Sequence, residues 1–163
     1  MIIRRQMIGN RRLSEGKPKP TAKADYSAAA FLRGLESFCT TDLAGIVEFE
    51  SFGCAPVGSI DISQSGAASL LKSIVIASGE DGIVRVAASS TADALLLMFR
   101  ISCVLPELDA LQEIRKTGEA AGFQISVSEG AIFAEIRVKP LDASLGAFST
   151  GDFYSTLVSV FFD

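Results

Sequence analysis

Pro106-Glu107-Leu108-Asp109-Ala110-Leu111-Gln112-Glu113-Ile114-Arg115-Lys116-Thr117-Gly118, continued as far as Pro140, is the stretch whose reading decides the fold. Leu108, Leu111, Ile114 and Gly118 recur at spacings of three and four, which puts an apolar stripe on one helix face, and Pro106 suits a first turn. Gly122 stops the helix. Phe123, Ile125 and Val127 then alternate with polar neighbours up to the turn signal Glu129-Gly130, and Ile132, Ala134, Ile136 and Val138 alternate on the return. The segment reads as one helix feeding a hairpin.

Upstream, Ala28, Phe31, Leu32, Leu35 and Phe38 draw a helical stripe from Ser27 to Cys39, with Asp25 or Ser27 as the N-cap. A strand follows over Ala44 to Phe52, with Val47 and Phe49 on one face and charge on the other. Gly53 to Gly58, containing Pro56, is a loop. Ile60-Asp61-Ile62-Ser63 leads into a second helix, capped by Ser63 or Ser65, whose face is Ala67, Leu70, Leu71, Ile74, Val75 and Ser78. Gly79-Glu80-Asp81-Gly82 turns the chain. Ile83, Val84 and Val86 make a strand, Ser89 to Asp93 a tight connection, and Leu95 to Cys103 a second strand. Leu95, Leu97, Phe99, Ile101 and Cys103 share one face of it, and Leu96 and Met98 make the other face apolar too, which predicts a central strand.

Downstream, Leu141 to Gly151 is loop-like and Phe153 to Phe162 reads as a strand. Phe153, Leu157 and Phe161 lie on one of its faces, Tyr154, Val158, Val160 and Phe162 on the other. So apolar a strand has to be paired. It completes the sheet, or it forms an interface through Phe153, Tyr154, Leu157 and Phe161. The expected fold class is α+β: a two-layer α/β sandwich with a mixed, mainly antiparallel sheet and about three helices on one face.

At 163 residues, the chain is expected to hold a flexible basic arm, residues 1–25, and one domain, residues 26–163. A hydrophobic content of 48% argues against disorder. In the first 23 residues Arg4, Arg5, Arg11, Arg12, Lys17, Lys19 and Lys23 stand against Glu15 alone, so with a net charge of −4 the remainder is clearly acidic. That speaks against nucleic acid as a partner of the folded part. Arg11-Arg12-Leu13-Ser14 looks like a basophilic kinase site, a match short enough to arise by chance. No apolar run reaches the roughly 18–20 residues that span a bilayer, and no signal-peptide core follows Arg5. A cytoplasmic protein is expected.

Cys39, Cys54 and Cys103 lack metal-ligand spacing and read as buried, reduced thiols. There is no histidine, which removes Ser-His-Asp and Cys-His catalysis, histidine metal sites and a phosphorylated histidine. Glu80 with Asp81, Glu107 with Asp109, and Asp142 with Asp152 read as solvated acids. Neither Ser78-Gly79 nor Gly16-Lys17 is a phosphate loop. Arg85, Arg100 and Arg137 fall on predicted strands, where they either converge on an anion or a partner or make surface salt bridges.

Three blocks carry a family likeness: Leu70-Leu71-Lys72-Ser73-Ile74-Val75-Ile76-Ala77 with the turn Gly79 to Gly82, then Ile83-Val84-Arg85-Val86, then Leu111 to Pro140. Their order and lengths, from about Val47 to Pro140, resemble the ATP-binding catalytic domain of sensor histidine kinases, the Bergerat or GHKL-type fold. In that family a strand and a Pro-containing loop lead to an Asp that opens the first ATP-site helix, and Pro56 and Asp61 stand in that relation here. The resemblance also implies an Asn turned toward magnesium near Ile76 or Ala77, but the only Asn is Asn10. It implies an Asp-x-Gly-x-Gly motif where Ser102-Cys103-Val104-Leu105-Pro106 stands, and a glycine-rich lid that the few residues before Leu108 cannot supply. A copy that has lost nucleotide binding, with no cofactor, is therefore expected.

Some histidine phosphotransferases pair a helical hairpin with such a degenerate domain. The expectation is a non-catalytic signalling module that docks a protein partner, a response regulator or kinase, in a two-component-type pathway. A homodimer is also contemplated. The alternatives are an enzyme or small-ligand receptor using a cleft between helices and sheet, lined by Arg85, Arg100 or Arg137 with a carboxylate, and a structural homo-oligomer joined through Phe153 to Phe162.

Overall fold

The computed structural model describes residues 7–8, 11–12, 22–51, 57–79, 82–101, 107–140 and 150–162. Serines start the first two helices. Ser27 and Ser63 hold extended backbone and their hydroxyls accept from the N–H of Ala30 at 3.2 Å and Gly66 at 3.1 Å, opening α1 (Ala28–Thr41) and α2 (Gln64–Ala77). A glycine ends the third. Gly122, at φ 119°, lets its own N–H and that of Phe123 turn back onto the carbonyls of Glu119 and Gly118, closing α3 (Leu108–Ala121).

Alternation builds the main sheet. Its strands β4 (Val47–Ser51), β6 (Val84–Ser90), β7 (Ala94–Ile101), β9 (Ala131–Arg137) and β8 (Gln124–Ser128) lie in that spatial order. β4 and β6 are parallel and the other pairs antiparallel, so the sheet is mixed and mainly antiparallel. β7, apolar on both faces, is central. Glu129 and Gly130 both take positive φ, 50° and 78°, which makes the two-residue hairpin turn between β8 and β9. A small sheet pairs β3 (Ala24–Ser27) with β5 (Ser59–Ile62), tied to the chain beyond β9 by a bridge between Ser59 and Lys139. Short strands β1 (Met7–Ile8) and β2 (Arg11–Arg12) pair with each other.

Val86, Leu97, Phe99, Ile132 and Ala134 are buried on one sheet face beneath the helices. α2 packs on α3 and α4 (Thr150–Phe161), and α4 packs on α1. Gly118 lets α3 come down on β8: a Cβ there would lie 2.5 Å from Ile125 Cδ1. The result is a two-layer α/β sandwich.

The segment expected to be a strand over Phe153 to Phe162 is the helix α4. A spacing of four places Phe153, Leu157 and Phe161 on one face of a strand, but equally on one face of a helix. Packing decides the outcome. All three are buried, with the Phe153 ring 4.5 Å from Phe31 and the Phe161 ring 5.0 Å from Phe38. The helix layer thus holds four described helices, α4 being the addition. Ile60 to Ile62, expected to be a lead-in, forms β5. β3 begins two residues ahead of the expected boundary at 25/26. Pro56, Pro106, Cys54, Cys103, Ser102 to Leu105, Glu80, Asp81 and Asp142 lie outside the described residues, as does the arm apart from β1, β2 and the residues from Ala22 on.

Candidate functional site

Since the described helices pack on one face of the sheet, alternate residues of its strands turn to the opposite, outer face. Register brings Glu48 of β4 beside Arg85 of β6, and Arg85 opposite Arg100 of β7. Glu48 Oε2 and Arg85 Nε are 3.6 Å apart with side chains 54% and 66% exposed, a solvent-screened pair. Among the described residues Arg100 Nη1 donates to the Glu129 carbonyl, at 3.5 Å. Like charges directly opposite repel. Both guanidiniums stay in contact with water, and Glu48 offsets one of them.

Glu48, Glu50, Arg85, Ala87, Met98 and Arg100 line a recess of about 370 Å³ on this face. Next to it the half-buried Leu96, Met98 and Phe133 form an apolar band. Arg137 is not part of this group: it stands opposite Ala94, at the other end of β7 from Arg100. The helix–sheet cleft entertained for these arginines is therefore not where they lie, because all three sit on the outer face. Phe153, Leu157 and Phe161, the expected interface residues of a strand, are instead buried in the helix α4. Tyr154 is half-buried and its hydroxyl donates to the Asp42 carboxylate.

Asp61 lies within β5 opposite Asp25, and Ser63 caps α2. Lys139 Nζ donates to Asp25 at 2.6 Å, a bond that raises the lysine pKa above its ordinary value. Along the α2–α3 seam, Gly66 lies against Ala121 and Leu70 against Gly118, so the helices run antiparallel. The C-terminus of α2 and the N-terminus of α3 consequently share an end. Ile76 and Leu108 mark it, 50% and 69% exposed, with Ala77 and Leu111 half-buried.

Among the described residues no group of His, Cys, Asp and Glu is arranged to hold a metal ion. No helix among them is long and apolar enough to cross a membrane. Cys39 is buried and its thiol is pushed up to about 12 by desolvation, then by Glu36. Lys72 was not anticipated. It is buried within α2 and donates from Nζ to the Val160 carbonyl at 3.2 Å, near the carbonyl end of α4. A lone charge in the apolar run Leu70 to Ala77 was the signal for it.

Solved structures similar to this chain include histidine kinases and their catalytic domains. A nucleotide-free catalytic domain of the histidine kinase ThkA aligns at 10% identity and TM-score 0.47, over 75% of this chain and 100% of that one. ThkA in complex with the response regulator TrrA aligns at 11% and 0.47, over 71% of this chain and 41% of that one. The mycobacterial sensor histidine kinase MprB aligns at 11% and 0.41, over 74% and 100%. Superpositions this loose carry no argument about activity. No protein-family model and no curated protein matches the sequence.

Proposed function

We propose that this chain is a non-catalytic docking module: a histidine-kinase-type sandwich that has lost its nucleotide site and binds a protein partner of a two-component-type pathway, a response regulator or kinase. One observation carries the reading. At the end of the α2–α3 pair where the family resemblance puts nucleotide and metal, the chain presents Ile76 and Leu108, 50% and 69% exposed. Magnesium takes oxygen ligands and phosphates take N–H donors, and neither side chain offers one. Two exposed branched aliphatic side chains suit an apolar protein contact instead. With no histidine, the chain has no imidazole to accept a phosphoryl group.

Thermal unfolding with and without millimolar ATP or ADP plus magnesium tests the loss of the site. The expected result is an unchanged Tm, since a ligand at a hundred times its Kd stabilises by about 2.7 kcal/mol. A saturable upward shift overturns it. For docking, a receiver domain titrated calorimetrically should bind the native chain. It should bind at least about tenfold more weakly to Ile76→Asp/Leu108→Asp, a loss of roughly 1.4 kcal/mol.

A further inference from the structure

The recess on the outer face is charged in columns. Glu48 and Glu50 stand on the edge strand β4, and Arg85 and Arg100 on β6 and β7. Among these four residues one pair forms, Glu48 with Arg85. Among the described residues Glu50 has no cationic partner, and Arg100 has the Glu129 carbonyl but no carboxylate. Glu50 and Arg100 lie on either side of β6, about 10 Å apart across the sheet at ~4.8 Å per strand, and two residues apart along it, Glu50 level with Ala87 and Met98, Arg100 level with Arg85 and Glu48. A uniformly acidic partner would meet the acids of β4, and a uniformly basic one would meet the arginines. Only a surface with the same two columns in the opposite order satisfies both, and a second copy turned over presents that order.

We propose that this face binds a second copy of the chain, sheet against sheet, about a two-fold axis that lies between the sheets and crosses β6 obliquely near Val86, at right angles to the line from Glu50 to Arg100. Rotation about such an axis exchanges positions on its two sides, so Glu50 of each copy meets Arg100 of the other. One operation makes both ion pairs, as an isologous contact requires. Ala87 and Met98 lie near the axis and supply the apolar contact. Facing sheets stand about 10 Å apart, a gap that glutamate and arginine side chains bridge together. The face is roughly 24 Å wide for five strands, at the small end of specific interfaces, so the dimer is weak, with Kd in the micromolar range. The contact is separate from the Ile76 and Leu108 end, so its failure leaves the docking proposal standing, and the reverse.

Sedimentation equilibrium of the full chain from about 1 to 500 μM, a range that brackets a micromolar Kd, tests the contact. A reversible monomer–dimer equilibrium is expected. Glu50 and Arg100 are exposed, so Glu50→Arg and Arg100→Glu should keep the native circular dichroism while each alone raises the dimer Kd at least about tenfold. Mixing the two single variants should restore association, as should combining both changes in one chain. A wild-type chain that stays monomeric overturns the proposal. So do single variants that dimerise as the wild type does, or a mixture that fails to associate.

Discussion

Cys39 lies in α1 with its thiol raised from an ordinary 9.0 to about 12, by burial first and by Glu36 second. Below pH 9 the thiol is neutral in both folded and unfolded chains. Between pH 9 and about 12 the unfolded chain loses the proton and the folded chain keeps it. Stability should therefore fall by about 1.4 kcal/mol per pH unit across that window from this group. Comparing urea midpoints at pH 8 and pH 10 checks the sign, and Cys39→Ala should show a shallower loss. Rapid reaction of Cys39 with an aromatic disulfide reagent at pH 8, in a chain carrying Cys54→Ser and Cys103→Ser, would contradict the burial. A buried thiol was readable from composition alone. Which arginines meet was not: Arg100 faces Arg85 while Arg137 faces Ala94 because of strand register, which is set by residues far away in the chain.

Among elements, the helix and hairpin from Leu108 to Arg137 were readable because every signal in them is local. Leu111, Ile114 and Gly118 give the period, Gly122 the stop, and Glu129-Gly130 the turn. α4 was not, because Phe153, Val158, Val160 and Phe161 are strand-prone by composition, and their spacing fits either structure. Contact with α1 overrides that preference. Phe153→Ala should accordingly cost about 3–5 kcal/mol in urea denaturation followed by circular dichroism. A variant with wild-type stability and altered sedimentation would instead mean that the segment serves an interface. The Lys72 bond to the Val160 carbonyl holds the far end of the same helix.

Taken whole, the molecule has one continuous core that joins α1, α2 and α4 to the sheet and includes Tyr26. The chain has two tyrosines and no tryptophan, so intrinsic fluorescence reports Tyr26, buried in β3 of the small sheet, and Tyr154 on α4. A single cooperative core predicts that the fluorescence and circular-dichroism transitions in urea coincide. Separated midpoints would reveal a unit that unfolds alone. The layered architecture was readable from element order. The open face with its charged recess was not, since it depends on which side of the sheet every helix takes.

The bond from Tyr154 to Asp42 joins residues 112 positions apart. During synthesis, α1 leaves the ribosome long before the helix that covers it exists. At a translation rate of roughly 10 residues per second, Phe31 and Phe38 wait about ten seconds for Phe153 and Phe161. A nascent chain of this protein therefore carries the α1 face of Phe31 and Phe38 without its α4 cover for most of the elongation between those residues and Phe161.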